Sequence, residues 1–198
     1  RCCTRTVYGI RGYLTSLGLM RNKHIPEIYL CGSVQQRIDL LRGLMDGDGS
    51  ISATRNKVTY HTTSQRLASD VRALVESIGG IASVRMYERA HQDKPAEYQV
   101  RIRLPAGIAP FSTPRKLDRF SPGTHAHPCR TLVSVTPSRV VDSVCIAVDA
   151  PDRLYVTEHC ILTHNTSQAI MFLNVRQDVS RVLIVAPKTL GANWEREI

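Results

Sequence analysis

Between Ser33 and Gly49 the chain reads Ser-Val-Gln-Gln-Arg-Ile-Asp-Leu-Leu-Arg-Gly-Leu-Met-Asp-Gly-Asp-Gly, and this stretch limits the possible folds more than any other. Val34, Ile38, Leu41, Leu44 and Met45 recur at steps of three and four, which predicts a helix over 34–49 with one apolar face. Gly43 lies inside that helix, where glycine costs roughly 1 kcal/mol relative to alanine. Such a cost predicts that a second backbone approaches closely there. Asp46 and Asp48 fall at the helix end, with Gly47 and Gly49 allowing a sharp exit. Carboxylates are unfavourable at a helix C-terminus, so a bound divalent cation is the expected reason for them.

Downstream the period changes from helix to strand and back. Lys57–Thr62 alternates, with Val58, Tyr60 and Thr62 on one face and Lys57, Thr59 and His61 on the other. Ser64 is placed to cap a helix whose buried stripe is Leu67, Val71, Leu74, Val75 and Ile78, and Gly79-Gly80 end it. A strand is expected over Ile81–Glu88 and another over Glu97–Leu104, with an exposed hairpin turn over residues 85–95 between them. The second strand sets Tyr98, Val100, Ile102 and Leu104 against Gln99, Arg101 and Arg103. Helices covering one face of an antiparallel sheet would leave the arginine face for a DNA groove; an ordinary solvated strand face is the alternative. The five prolines of 105–128 predict an irregular connection.

Leu41–Gly49 matches the nine-residue signature of LAGLIDADG homing endonucleases. The resemblance implies two such helices packed together, each delivering a carboxylate to metal ions at the scissile phosphates. Here that carboxylate is Asp48, the expected metal is Mg2+, and the expected partner is double-stranded DNA held by Arg101, Arg103 and Lys57. Arg21-Asn-Lys-His-Ile-Pro-Glu-Ile-Tyr-Leu30 resembles the block before the second signature of two-copy intein endonucleases. It gives Lys23 the role of polarising the attacking water or stabilising the phosphate charge. Only one signature is present, so the first copy, the amino-terminal splicing blocks and an upstream host segment are expected before Arg1.

A different chemistry is written at 144–166. Val144-Cys-Ile-Ala-Val148 and the stretch from Leu154 read as strands around a Pro151-Asp152 turn, and the segment ends in Thr163-His-Asn-Thr166. An asparagine side-chain amide can attack its own carbonyl and cut the chain after it. His164 supplies the acid–base help, and the Thr166 hydroxyl can carry an ester that couples cleavage to ligation. The stretch resembles the last two blocks of inteins, the self-excising protein-splicing elements, and implies autocatalytic splicing without a cofactor. Most inteins carry aspartate where Cys145 stands. One subclass uses a cysteine there as the first nucleophile, followed by threonine after the terminal asparagine, as here. Arg153 falls where many inteins have a second histidine, and His159 is a conceivable substitute. The sheet alternation returns at Arg130–Pro137, where an all-β splicing domain shared with hedgehog autoprocessing proteins is expected to resume.

After Thr166 the character changes again, to a helix over Thr166–Val175, a strand over Arg181–Pro187 and a helix start at Asn193–Ile198. The segment resembles the region after the phosphate-binding loop of Swi/Snf-type helicase-like ATPases, which makes Thr166 the Walker threonine; ATP and Mg2+ would serve only the intact host. The expected organisation is therefore an α+β endonuclease half at 1–118, a linker at 119–129, a splicing segment at 130–165 and a short α/β host segment at 166–198. An active precursor would need the missing amino-terminal intein half, and the chain alone is expected to be inactive. Two alternatives remain, a splicing element with a decayed endonuclease and a fragment of a DNA-dependent translocase.

Charge and cysteines are consistent with this. The net charge is +9, and residues 166–198 hold four Lys/Arg against three Asp/Glu, so +8 belongs to residues 1–165. That excess favours a polyanionic partner. The six cysteines (2, 3, 31, 129, 145 and 160) contain no Cys-x-x-Cys pair, so structural zinc is not expected. Cys31, Cys129 and Cys160 are expected as small buried hydrophobes, and His125 and His127 as surface residues. No apolar run is long enough for a membrane span, no signal-peptide core follows Arg1–Arg5, and a cytoplasmic location is expected.

Overall fold

The computed structural model describes residues 7–52, 57–89, 95–121, 128–131, 133–134, 136, 148–152 and 154–163. Two compact units divide at Cys129/Arg130. In the first, the elements run α1 (Arg11–Ser16), α2 (Glu27–Leu30), α3 (Val34–Asp48), β1 (Gly49–Ile51), β2 (Val58–Thr62), α4 (Gln65–Ser77), β3 (Ile81–Tyr87), β4 (Glu97–Arg103) and α5 (Pro114–Leu117). The strands form one sheet of order β1-β2-β4-β3, antiparallel throughout. The β3–β4 hairpin returns β4 beside β2, so α4 crosses from β2 to the far edge strand.

The two long helices, α3 and α4, start where the sequence satisfies their orphan amides. Ser33 and Gln36 cap α3 reciprocally, the Gln36 amide donating to the Ser33 hydroxyl at 3.3 Å and the Ser33 amide to the Gln36 carbonyl at 2.9 Å. The Ser64 hydroxyl accepts from the Leu67 amide at 3.2 Å. α4 ends at Gly79, whose φ of +82° favours glycine, and Gly80, where an added Cβ would sit 2.7 Å from Val75 Cγ1 and 2.9 Å from the Arg103 carbonyl.

The core lies between the sheet and the helices. Leu67, Val71, Leu74, Val75 and Ile78 of α4 and Leu41 and Met45 of α3 pack with Val58, Tyr60, Ala82, Val100 and Ile102. Two long-range bonds lock the helices. Arg37 Nη1 donates to the Ser77 carbonyl at 2.8 Å, and the Ile25 amide donates to Asp70 Oδ2 at 2.9 Å.

Several expectations need correction. α3 stops at Asp48, one residue short of the expected end, and Gly49 leaves in extended conformation. Val34 is 54% exposed rather than part of the apolar face. Among the described residues nothing approaches Gly43, where an added Cβ meets no atom within 4 Å. Arg85–Tyr87 belong to β3 rather than to the turn, and residues 90–94 of that turn lie outside the described set. The connection after β4 is irregular but contains α5 and the buried Phe111. Cys31, Cys129 and Cys160 are exposed, because each lies in a loop or short turn away from the core rather than on a packed face.

In the second unit, β5 (Tyr155–Val156) pairs antiparallel with β6 (Leu162–Thr163) around a single 3-10 turn at Glu158–Cys160. The described residues of 130–136 form no strand. Cys145, Arg153, His164, Asn165 and Thr166, the host segment 166–198, and His125 and His127 lie outside the described residues.

Candidate active site and nucleic-acid interface

The end of α3 separates its two aspartates completely. Asp46 Oδ1 accepts from the Ser112 and Thr113 amides, both at 3.1 Å, and Oδ2 from Ser112 at 3.2 Å. Burial pushes the Asp46 carboxyl up, but the amides of Thr113 and Ser112, the Thr113 side chain and the charge of Lys116 outweigh it and hold it below its ordinary value. Asp46 therefore serves as an anchor for the 112–113 backbone, and its place at the helix end needs no cation to explain it. That corrects half of the reasoning applied to the acidic pair.

Lys116 answers from the other side. Its Nζ donates to the carbonyls of Met45 (2.8 Å), Asp46 (2.8 Å) and Gly49 (2.6 Å), and it lies 5.6 Å from the centre of the Phe111 ring. Met45 and Asp46 belong to the last turn of α3, where the helix dipole favours a cation. With Arg42 Nε donating to the Ala109 carbonyl at 3.2 Å, residues 109–116 are fastened along the last turns of α3. Sequence reading missed this clamp, since nothing local to Lys116 points to a helix some 70 residues earlier.

Asp48 is left exposed, in no hydrogen bond or ion pair among the described residues. Its charge is felt by buried Tyr60, whose phenol is pushed up to about 12 by burial and then by Asp48. Lys23 is exposed too. Its backbone carbonyl accepts from the Ser64 hydroxyl at 2.7 Å, which ties the loop before α2 to the start of α4. No hydrogen bond or ion pair joins Lys23 to Asp48 among the described residues. These residues also hold no cluster of three or more His, Cys, Asp or Glu fit for a metal.

The sheet face turned away from the helices carries the cations. Gln99 stands directly between His61 of β2 and Arg85 of β3, and Arg101 between Thr59 and Ser83. A shallow open depression is lined by Lys57, Thr59, Arg85, Tyr87, Gln99 and Arg101. Arg101 and Lys57 are brought together there as expected, while Arg103, exposed at the end of β4, does not line the depression. Arg85 and Tyr87 lie in the strand expected over Ile81–Glu88, but they were not expected as site residues, because residues 85–95 were also read as the hairpin turn.

Beside the depression, His61 Nδ1 lies 2.6 Å from Glu97 Oε1, and Arg89 Nη1 lies 3.0 Å from Glu97 Oε2. Gln99 Nε2 donates to Glu97 Oε1 at 3.2 Å, and His61 Nε2 lies 3.0 Å from the Ser50 hydroxyl. The hydrogen bond from His61, against partial burial, and then Gln99 and the charge of Arg89 hold the Glu97 carboxyl below its ordinary value.

A chain of this sequence is 32% identical over 173 residues to a replicative DNA helicase DnaB of Mycobacterium intracellulare. The alignment covers 85% of this chain and 30% of that relative, so the chain spans under a third of the protein it matches. Residues 35–104, which carry α3 with Asp48, α4 and all four strands of the sheet, match the family model of the LAGLIDADG-like domain, and that match supports a homing endonuclease.

Proposed function

We propose that this chain is the carboxy-terminal part of an intein with a nested LAGLIDADG homing endonuclease, set in a helicase-type host. The observation that carries the endonuclease reading is Asp48. It is an exposed carboxylate at the end of the signature helix, within electrostatic reach of a sheet whose open face bears Lys57, Arg85 and Arg101. A hard divalent cation takes oxygen ligands, and Asp48 fits as one of them; Asp46 does not, since its oxygens are taken by backbone amides. A bound Mg2+ would activate water and offset the charge building on the phosphate. The residues of the chain do the rest. Lys116 and Asp46 hold the helix end still, and the cationic face meets the duplex. The exposed glycines Gly43 and Gly47, open to close approach by another backbone, suit a second signature helix.

Splicing rests on the resemblance of residues 144–166 and on their chemistry: Cys145 as initiating nucleophile, His164 as acid–base aid, Asn165 as the cyclising residue and Thr166 as acceptor. The β5–β6 pair ends at Thr163, one residue before that group. A helicase host agrees with the similarity to a replicative DNA helicase, and interruption of a phosphate-binding loop agrees with Asn165 standing where a Walker lysine is expected.

The test uses the full-length precursor and a plasmid carrying the uninterrupted host gene. Mg2+-dependent double-strand cutting should vanish in Asp48→Asn, while splicing is spared. Asn165→Ala should abolish the product that begins at Thr166, while cutting is spared. Cutting that survives Asp48→Asn refutes the metal-ligand role; wild-type splicing without any cutting favours a decayed endonuclease.

A further inference from the structure

The depression on the open sheet face has a donor and acceptor pattern of its own. Arg85 and Arg101 are exposed and, among the described residues, have no acidic partner, although Glu97 lies on a strand of the same sheet. Glu97 is already saturated. One oxygen faces His61 and Gln99, and the other faces Arg89. The two guanidiniums are therefore available to a ligand instead of being neutralised within the protein.

Gln99 lies between them in the pattern. Its amide orientation follows from chemistry alone, because an ionised carboxylate only accepts hydrogen bonds and so must face the Gln99 NH2 group. Glu97 stays ionised because the His61 hydrogen bond, Gln99 and Arg89 all favour its charged form. The Gln99 carbonyl oxygen is thus left as an acceptor, in no hydrogen bond among the described residues. Arg85 is directly across from Gln99 in β3, and Arg101 is two residues further along β4 on the same face. Diagonal neighbours on one sheet face are about 7–8 Å apart, within reach of long side chains converging on one base pair.

We infer that this depression reads a G·C base pair through the major groove, with Arg85 and Arg101 donating to guanine and the Gln99 carbonyl accepting from cytosine. This rests on the DNA-binding reading above and deepens it. In the major groove guanine presents two acceptors, N7 and O6, and cytosine presents one donor, the N4 amine. Two guanidiniums and one carbonyl are the complement of that set. An A·T pair would turn the adenine amine or the thymine methyl toward a guanidinium and leave a donor unmet. Thr59, buried beneath the depression, adds no charge, and Lys57 at its margin serves as a phosphate contact without base preference. Glu97 is a positioning residue here, since it acts through Gln99.

The experiment is selection of duplexes from a random pool by the full chain, followed by affinity measurement on the selected sequence and its single base-pair changes. The wild type should enrich a fixed G·C pair whose replacement by A·T weakens binding about tenfold. Arg101→Lys keeps the charge and loses the fork, so the G·C preference should fall below about threefold. Arg85→Ala should also erase the preference. Lys57→Ala should weaken all duplexes alike and keep it. Glu97→Gln frees the Gln99 amide to turn and should relax the preference with little change in overall affinity. Its fold is checked by thermal melting, and Arg101→Lys decides the matter if Glu97→Gln is unstable. Enrichment of an A·T pair or of no fixed pair overturns the inference while leaving DNA binding intact, as does a preference that survives both arginine variants. Absence of any salt-sensitive binding would sink the DNA-binding reading itself, and the inference with it.

Discussion

The two faces of the four-stranded sheet are written by one alternation and carry opposite obligations. On the covered face Val58, Tyr60, Ala82, Val100 and Ile102 are buried against α3 and α4, and each contributes to stability through apolar area removed from water. On the open face Lys57, Arg85 and Arg101 touch little and contribute little to folding. The lesson is that a residue the fold does not need can be given to chemistry. The end of α3 shows the same division within three residues, where Asp46 works for the fold and Asp48 does not.

The sharpest way to break the comparison is to exchange an element of each face. Leu74 is completely buried in α4, and Leu74→Ala should cost about 2–5 kcal/mol in denaturant unfolding. Arg101→Ala on the open face should cost less than about 0.5 kcal/mol while weakening DNA binding. Equal losses would mean that the open face is structural after all.

Next in size is the clamp at the helix end. Lys116→Met keeps the apolar stem over Phe111 and removes the donor to three carbonyls. Losing these three bonds should cost about 2–3 kcal/mol, with amides of 111–117 exchanging faster with solvent. A variant as stable as the wild type would return Lys116 to the surface charges.

A smaller effect separates the carboxylates by pH. Asp46 and Glu97 both titrate below their ordinary values in the folded chain, so each contributes stability above the unfolded pKa, about 4. That contribution is lost as pH falls through the lower, folded values. Asp46→Asn should therefore cost about 1 kcal/mol at neutral pH, and its deficit against the wild type should shrink as pH falls below about 4. A deficit independent of pH would mean that the Asp46 charge does not matter to the clamp.

Legibility in the sequence followed the range of each interaction. The α4 stripe, the Ser64 cap and the parity of β2 and β4 are local patterns, and all appear as read. What failed was non-local. Val34 fits the helical spacing but stays exposed, and the turn expected from residue 85 starts later because β3 runs on to Tyr87. The Asp46–Ser112 and Lys116–Met45 bonds join residues 66 and 71 apart in the chain, a separation that no periodicity reports. The site divided in the same way. Asp48 was legible because a signature and a helix end coincide there, whereas the orientation of Gln99 depends on Glu97, His61 and Arg89 arriving from three segments.

The smallest expected effect is the most telling, because its sign runs against the usual outcome of a mutation. Most substitutions destabilise, and an exposed polar exchange is commonly near neutral. Asp48 is an exposed anion at the C-terminal end of α3, where the helix dipole is negative. Asp48→Asn removes the charge and keeps the size, so it should raise stability by about 0.3–1 kcal/mol at low ionic strength, with the gain shrinking as salt is added. The same variant should lose Mg2+-dependent cutting. A residue that weakens the fold and is needed for cleavage is the expected signature of a functional carboxylate, and denaturant melts of the two proteins at low and high salt would measure it. If Asp48→Asn is instead less stable than the wild type, then Asp48, like Asp46, serves the fold, and the division between the two aspartates fails.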